Sequence, residues 1–466
     1  MVDTKWVNDV KKDDKGNILR YQARKVGREF TQEYGLNYYD TFTQMARSES
    51  WRILLTLAIN HGWSVAQWDV IAAYLQADLQ HEIYVKDLTE TGQLEYWKLH
   101  KVLYRLKQAG HEWYNRLRSI MANAGLDQCV GDPGCFRSPK GDLTICTHVD
   151  DMAGYGTPEA LEAFEKTVES EVELDKLGKP TKLLGMELTW NKHGSVKLTQ
   201  KDAIGKLMIE DSIPNSPRLS LPSNTSYYDQ KNNQEKLQDP TIYQSIVGSL
   251  LYISRMTRPD ISFIVNLVGR RTSDPSPINL AVAREVCKYL SSMTNEGVTI
   301  AKGEKGDLIK GYVDASQPKE EEASRCQSGS LVTLYGQSIM WTSRRQDVVA
   351  MSITETEYIA TSEGLKDLAW VQQFLQEILP RYKKPWIPTM FTDNEAAQKL
   401  SKAQIYHRRT RHILYRFHYI RQEVDNQLVT IQRIPGKENL VDIFTKLLPM
   451  NTVKMWKTSC MKSEIG

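Results

Sequence analysis

Asp142-Leu143-Thr144-Ile145-Cys146-Thr147-His148-Val149, then Asp150-Asp151, then Met152-Ala153-Gly154-Tyr155 is the run whose reading decides the fold. The first part alternates apolar and polar residues, as a half-buried strand does. Two aspartates interrupt it and the strand resumes, which predicts a hairpin with both carboxylates at its tip. Thr157-Pro158-Glu159 supplies an N-cap, a proline at N1 and an acidic first turn. Leu161, Phe164 and Val168 follow at helical spacing. Upstream, Ser64-Val65-Ala66-Gln67-Trp68 reads as a strand that stops at Asp69. A carboxylate at such a stop can meet a metal without being buried unpaired. Magnesium takes one or two carboxylates plus substrate phosphates. Two ions can clamp the attacking and leaving oxygens of an in-line phosphoryl displacement. Asp69, Asp150 and Asp151 build that site if the two strands are neighbours. Taken alone, an Asp-Asp pair is also an ordinary turn former.

Outward from this hairpin, the chain of 466 residues exceeds one core and predicts roughly three domains of about 150 residues. With 41% hydrophobic and 25% charged residues it has a globular composition. Its net charge of +3 is too small to decide for or against nucleic acid. Strands mixed with amphipathic helices fill residues 1–205. Residues 206–306 open on Pro- and Ser-rich sequence, with a polar linker from Tyr227 to Asp239, and continue in apolar helices around Ile246–Ile253 and Ile278–Leu290. Residues 307–449 alternate strands and helices, including a long helix from Ile353 to Leu379. Residues 450–466 read as a tail.

The third region carries spaced acids of its own. Asp314 ends the strand Leu308–Val313, Asp393 ends a strand at Thr392, Glu357 lies in the first turn of the long helix, and Asp442 follows Pro435-Gly436-Lys437. Four acids from four elements suit a two-metal nuclease. Each also has a structural reading: Thr354-x-x-Glu357 fits a capping box, Asp393 a cap, Asp314 a turn.

The densest basic segment, His407-Arg408-Arg409-Thr410-Arg411-His412, reads as a helical stripe suited to phosphates or as a solvated face. Six cysteines lack metal-ligand spacing, which argues against structural zinc and fits a reducing, intracellular setting. There is neither a run of about 18 apolar residues nor a signal-peptide core, so no membrane anchor is expected.

The order of motifs resembles copia-type retrotransposon Pol, in its reverse transcriptase and ribonuclease H portion. It runs through Arg20-Tyr21-Gln22-Ala23-Arg24, Phe30-Thr31-Gln32, Gln67-Trp68-Asp69-Val70, Leu103-Tyr104-Arg105-Leu106-Lys107-Gln108 and Val149-Asp150-Asp151. It continues in Leu183-Leu184-Gly185, Val247-Gly248-Ser249-Leu250 and Thr257-Arg258-Pro259-Asp260-Ile261. In the third region the matches are Gly311-Tyr312-Val313-Asp314-Ala315, Glu355-Thr356-Glu357-Tyr358-Ile359-Ala360, Asp393-Asn394 and Val441-Asp442-Ile443-Phe444-Thr445-Lys446. The resemblance implies an α/β and α+β multidomain chain: a right-hand palm with partial fingers (1–205), a helical thumb or connection (206–306) and a ribonuclease H-like α/β domain (307–449).

By the same resemblance, Asp69, Asp150 and Asp151 are polymerase metal carboxylates, with Asp151 peripheral. Asp314, Glu357, Asp393 and Asp442 are the nuclease carboxylates, with two magnesium ions, or manganese in their place, at each site. Tyr74 is an aromatic gate against the 2′-hydroxyl, excluding it by bulk. Arg24 and Gln108 contact the nucleotide, Leu184-Gly185 lies in the primer grip, and Arg408, Arg409, Arg411 and His412 grip an RNA–DNA hybrid by its shape and backbone. The implied partners are an RNA template, a DNA primer, the hybrid, deoxynucleoside triphosphates and other polyprotein products. The implied setting is a cytoplasmic virus-like particle or the nucleus.

The sequence departs from the family at three places. Gln22 stands for a usual Lys, Arg105 for Gly, and His148 for Tyr. The family's upstream fingers, protease, integrase and nucleocapsid segments are also expected to be missing. Three readings therefore stand: a working polymerase and nuclease; an impaired remnant that folds and binds nucleic acid without polymerising; and an unrelated basic scaffold, which the ordered motifs disfavour.

Overall fold

The computed structural model describes residues 1–12, 17–88, 92–214, 216, 218, 220–222, 235–303, 308–317, 325–350, 352–380, 387–395, 398 and 414–462. The chain forms two compact units, residues 1–51 with 63–180, and residues 52–62 with 181–466.

In the first unit, β1 (Val2–Lys12) and β2 (Ile18–Gly27) form an antiparallel pair, and helix α1 (Ser48–His61) begins here. Then come β3 (Ser64–Val70), β4 (Tyr84–Leu88), β5 (Leu94–Lys98) and α2 (Ala109–Asn123). The short β6 (Asp127–Gln128) and β7 (Cys135–Arg137) lead to the expected hairpin, β8 (Leu143–His148) and β9 (Asp151–Gly156). Helix α3 (Pro158–Glu169) and β10 (Leu174–Gly178) close the unit. The strands make a four-stranded sheet, β2-β1-β4-β5, and a six-stranded sheet, β10-β3-β9-β8-β7-β6. Helix α3 starts as the sequence predicts: the Thr157 side chain accepts from the Ala160 amide at 3.3 Å, and Leu161, Phe164 and Val168 are buried. They pack with Trp68 and Trp113 in one core. Gly154 is required by that packing, because a Cβ there would lie 2.8 Å from the Trp68 ring. The same close approach keeps β9 beside β3 in the register that sets Asp69 opposite Asp151.

The second unit holds the sheet β11-β12-β13-β14, from Lys182–Leu183, Met186–Trp190, Val196–Thr199 and Val298–Ile300. Helices α4 (Lys201–Glu210), α5 (Thr241–Met256), α6 (Ser262–Gly269) and α7 (Pro277–Ser291) share a core around Tyr243, Leu250, Val265 and Val286. A five-stranded sheet follows, in which β15 (Ile309–Ser316), β16 (Gln327–Leu334) and β17 (Gln337–Arg345) are antiparallel. Two parallel strands, β18 (Thr389–Thr392) and β19 (Thr430–Arg433), extend it. Helix α8 (Ile353–Ile378) packs on β15 through Gly364, where a Cβ would meet Val313 at 2.3 Å. The remaining helices are α9 (Leu414–Asp425), α10 (Asp442–Thr445) and α11 (Met450–Trp456).

Three sequence expectations are corrected. The units divide at Pro180/Thr181, not at 205/206, because β13 pairs with β14 and draws residues 181–199 into the second unit. No unit boundary falls at 306/307, since Trp341 Nε1 donates to the Ser254 carbonyl at 2.9 Å and Arg270 to Gln327 Oε1 at 2.7 Å. Residues 450–461 are not a tail. They form α11 and one further turn whose Val453, Trp456, Cys460 and Met461 are buried, with Trp456 Nε1 donating to the Leu440 carbonyl at 2.6 Å. Most of the polar linker, residues 227–234, lies outside the described residues. No helix among the described residues is long and apolar enough to cross a membrane.

Candidate active sites

Asp69 pairs across β3–β9 with Asp151 and across β3–β10 with Asp175. Directly opposed residues share one face of a sheet, with Cβ atoms about 5 Å apart, so Asp175, Asp69 and Asp151 form a row. Asp150 sits in the hairpin turn beside it. The fourth acid, Asp175, was invisible to sequence reading because only strand register places it here. The neighbouring Lys176 pairs instead with Glu165 at 2.6 Å and Glu169 at 2.7 Å.

Asp69, Asp150 and Asp175 line a cavity of about 400 Å³ whose lining also includes Arg20, Gln22, Arg24, Lys25 and Tyr104. Burial raises the Asp69 pKa to about 6, and Asp150, Asp151 and Asp175 push it the same way against Arg24. Burial and Asp150 also raise Asp151, opposed by a hydrogen bond from Gln67. Crowded acids whose mutual repulsion Arg24 only partly offsets at Asp69 are a donor set that a divalent cation would relieve. The turn itself is strained: Val149, β-branched, has φ 62°. Trp113 holds it by donating to its carbonyl at 2.7 Å.

Arg24 stacks over the Tyr104 ring at 5.4 Å, and Tyr74 meets that ring edge-on at 5.2 Å. Tyr74 is thus fixed beside the cavity, one ring removed from Arg24. Gln108 is buried; its amide donates to the Asn37 carbonyl at 3.0 Å and accepts from Gln32 at 3.0 Å. It braces the segment after Arg105 and does not itself line the cavity.

The three departures are all visible. Arg105 has φ 63°, the left-handed conformation that glycine adopts freely. Gln22 Oε1 and His148 Nδ1 are buried without a hydrogen-bond partner among the described residues. Arg105→Gly is therefore expected to stabilise the first unit by about 0.5–1 kcal/mol, relief of left-handed strain less the added chain entropy. Urea denaturation measures it, and a destabilised variant would show that the arginine's side-chain contacts outweigh its strain.

In the second unit, Asp314 lies inside β15 rather than at its end, and Glu357 falls in the second turn of α8 rather than the first. The reason is the cap: Ser352, not Thr354, starts the helix, accepting from the Glu355 amide at 3.2 Å. Glu357 is therefore free of the capping role. One oxygen from each of Asp314, Glu357 and Asp393 lies within 4.8 Å of the others. Asp442, at the head of α10, bears electrostatically on Asp314 and Asp393. Burial, then Asp314 and Asp393, push the Glu357 pKa up to about 9. Burial raises Asp314 to about 6 against a hydrogen bond from the Thr445 hydroxyl. Glu357 is 6% exposed and its Oε2 has no hydrogen-bond partner among the described residues, as an oxygen kept for an external cation would be.

Burial of Glu357, reinforced by Asp314 and Asp393, has a stability consequence. Glu357 holds its proton to about 9 in the fold but sheds it near the ordinary 4.5 when unfolded. The unfolded chain thus binds fewer protons between those values, so metal-free stability falls as pH rises through that window. Glu357→Gln is expected to flatten the fall and add about 2 kcal/mol at pH 7 without metal. Denaturation in EDTA across pH reads this directly; an unchanged pH profile would refute it.

Leu184 and Gly185 both have positive φ, 47° and 69°, and Tyr252 donates to the Leu184 carbonyl. A Cβ on Gly185 would lie 2.3 Å from the Tyr252 hydroxyl, so this turn needs glycine. Arg408, Arg409, Arg411 and His412 lie outside the described residues.

The first unit thus gathers its acids from strands and a hairpin turn beside a cavity that arginines line, and the second gathers its acids from strands and helices, two donor sets suited to divalent cations. Residues 1–224 match the model of the family described as reverse transcriptase (RNA-dependent DNA polymerase). Nearly the whole chain is similar to the retrovirus-related Pol polyprotein from transposon TNT 1-94 of Nicotiana tabacum, 31% identical over 97% of this chain and 35% of that protein. It is 30% identical to the Pol polyprotein from transposon RE1 of Arabidopsis thaliana, over 96% of this chain and 31% of that one. The copia-type retrotransposon resemblance read from the motifs therefore holds, and the chain spans about a third of the length of these relatives. Among solved structures, the foamy viral protease-reverse transcriptase in complex with dsDNA aligns with 92% of this chain and 79% of its own, at 12% identity and a TM-score of 0.42.

Proposed function

We propose that this chain is an RNA-directed DNA polymerase joined to a ribonuclease acting on RNA–DNA hybrids, with two divalent ions at each site. The observation that carries the reading is the carboxylate row at the cavity that Arg20 and Arg24 also line. Asp69 and Asp150 would hold both ions of the polymerase site, with Asp151 peripheral; Asp314, Glu357, Asp393 and Asp442 would hold those of the nuclease. Magnesium, or manganese, would supply Lewis-acid stabilisation of the transferring phosphate and activate the nucleophile. Arg24 orients a deoxynucleoside triphosphate with its planar donor fork. Tyr74 excludes a ribose by bulk, and Gln108 positions the nucleotide by bracing the loop behind it. Leu184-Gly185 approaches the primer backbone, and Arg408, Arg409, Arg411 and His412 grip the hybrid. The partners are then an RNA template, a DNA primer and their hybrid, with other polyprotein products around them in an intracellular particle or nucleus.

The test is primer extension on a homopolymer RNA template and cleavage of a labelled hybrid, each with magnesium and with EDTA. Metal-dependent turnover in both assays supports the reading, and none in either overturns it. Tyr74→Val should lower the ratio of deoxy- to ribonucleotide incorporation by about tenfold or more, as expected of a steric gate; an unchanged ratio in an active enzyme removes the gate.

A second reading, an impaired remnant with a working nuclease alone, is favoured by one set of observations. Arg105 is strained, and Gln22 and His148 leave buried polar atoms unmet, all in the polymerase unit. Among the described residues, Asp314, Glu357, Asp393 and Asp442 all have negative φ, in contrast to Arg105. Hybrid cleavage without primer extension is the outcome that selects it.

A further inference from the structure

Helix α10 is only Asp442–Thr445, yet its two ends serve the same cluster. Thr445 donates its hydroxyl to Asp314. Lys446, the next residue, returns by i,i+4 spacing to set its ammonium 2.9 Å from Asp442 Oδ2. The other nearby cation is differently engaged: Arg433 donates to the Asp393 backbone carbonyl at 3.3 Å and pairs with Glu395 at 3.5 Å. Among the described residues, Lys446 is thus the one cation whose side chain bonds a carboxylate of this site. It also bears electrostatically on Asp314 and Asp393. Its side chain is 50% exposed, so it can swing to water without opening the core.

Four acids within one small volume repel one another, and a single lysine offsets part of that repulsion. A divalent cation seeking Asp442 meets an occupied oxygen and a positive charge. We propose that the Lys446 ammonium is a resident counterion of the cluster, holding Asp442 in the metal-free chain and yielding it when a divalent cation binds. The inference rests on the nuclease reading above and adds a regulator of its metal demand. No bond is made or broken: one cation replaces another on the same carboxylate, and the ammonium is released to solvent or to a substrate phosphate.

The experiment uses the full chain carrying Asp150→Asn, to weaken metal binding at the first site, and titrates manganese by calorimetry. The heat lost on adding Asp314→Asn defines binding at the cluster. Lys446→Gln should bind manganese about three- to tenfold more tightly, as removal of a partly screened like charge requires. Lys446→Arg keeps the charge and should stay near the parent affinity. In an Asp442→Asn background, Lys446→Gln should lose most of its effect, because the shared oxygen is gone. In EDTA, Lys446→Gln should melt below the parent, with the gap closing at saturating manganese. Unchanged or weaker binding in Lys446→Gln, with Asp314-dependent heat still present, overturns the counterion and leaves the metal site standing. No Asp314-dependent heat at all overturns both.

Discussion

Asp150→Asn is expected to lower primer extension about a thousandfold or more while leaving the first unit folded. The loss follows from chemistry: ion-mediated stabilisation of a phosphoryl transition state is worth several kcal/mol, and each 1.36 kcal/mol is a decade of rate. The intact fold follows from the turn, where Asp150 contributes its backbone carbonyl to the Val70 amide at 3.2 Å. Asparagine keeps that bond and the side-chain volume. Losing one of four crowded charges should also let Asp69 and Asp151 ionise at lower pH, since Asp150 raises both. Extension rates and far-UV circular dichroism on matched samples check the two halves. Undiminished extension would reject the metal assignment, and an unfolded variant would assign Asp150 to the architecture.

Arg258→Ala is expected to cost the second unit about 3–5 kcal/mol, the usual penalty for leaving a buried charge without its partner. Arg258 and Asp260 are fully buried and joined by two bonds of 2.8 Å. Tyr289 donates to the same carboxylate at 2.9 Å, and Lys457 approaches it at 3.2 Å. Burial alone would raise the Asp260 pKa; Arg258 and then Lys457 more than reverse this and hold it below the ordinary carboxylate range. A depressed folded pKa contributes stability that is present above the unfolded value and lost as pH falls through the folded one. The wild-type unit should therefore lose stability in acid below about pH 4, and Arg258→Ala should lose much of that dependence. Urea midpoints at pH 7 and pH 3 measure both; a cost under about 1 kcal/mol would contradict the buried-pair account.

How far the sequence reached depended on whether a feature is local. The β8–β9 hairpin, the Thr157 cap and helix α8 were legible because alternation, capping chemistry and helical period are written in adjacent residues. The strain at Arg105 was legible too, through the glycine that the family carries there. Asp175 was not, since its place depends on pairing with a strand about a hundred residues away. The unit boundary failed for the same reason, through β13 and β14. Residues 450–461 misled because their burial comes from Leu440, Phe444 and Asp260, none of which the segment announces. Thr354 and Ser352 are both capable caps, and only the backbone at Ser352 turns extended. The Thr257–Ile261 motif was read as a family mark, and its visible work is ionic support of the core.

Helix α1 is divided between the two units, and its Arg52 is seated entirely in the second. Its guanidinium bonds the carbonyls of Ile339, Arg255 and Met256 and lies 4.3 Å from the Trp341 ring centroid. On the ribosome, that arginine emerges some two hundred to three hundred residues before its acceptors do. The second unit must therefore be completed by recapture of a segment synthesised near the beginning, a closure of very long range and intrinsically slow. An isolated piece such as residues 307–449 never receives that segment, nor Lys457 from the other end. Its expression should fail by aggregation, and adding the peptide of residues 48–62 in trans, to a piece running from 181 to 466, is the way to restore it.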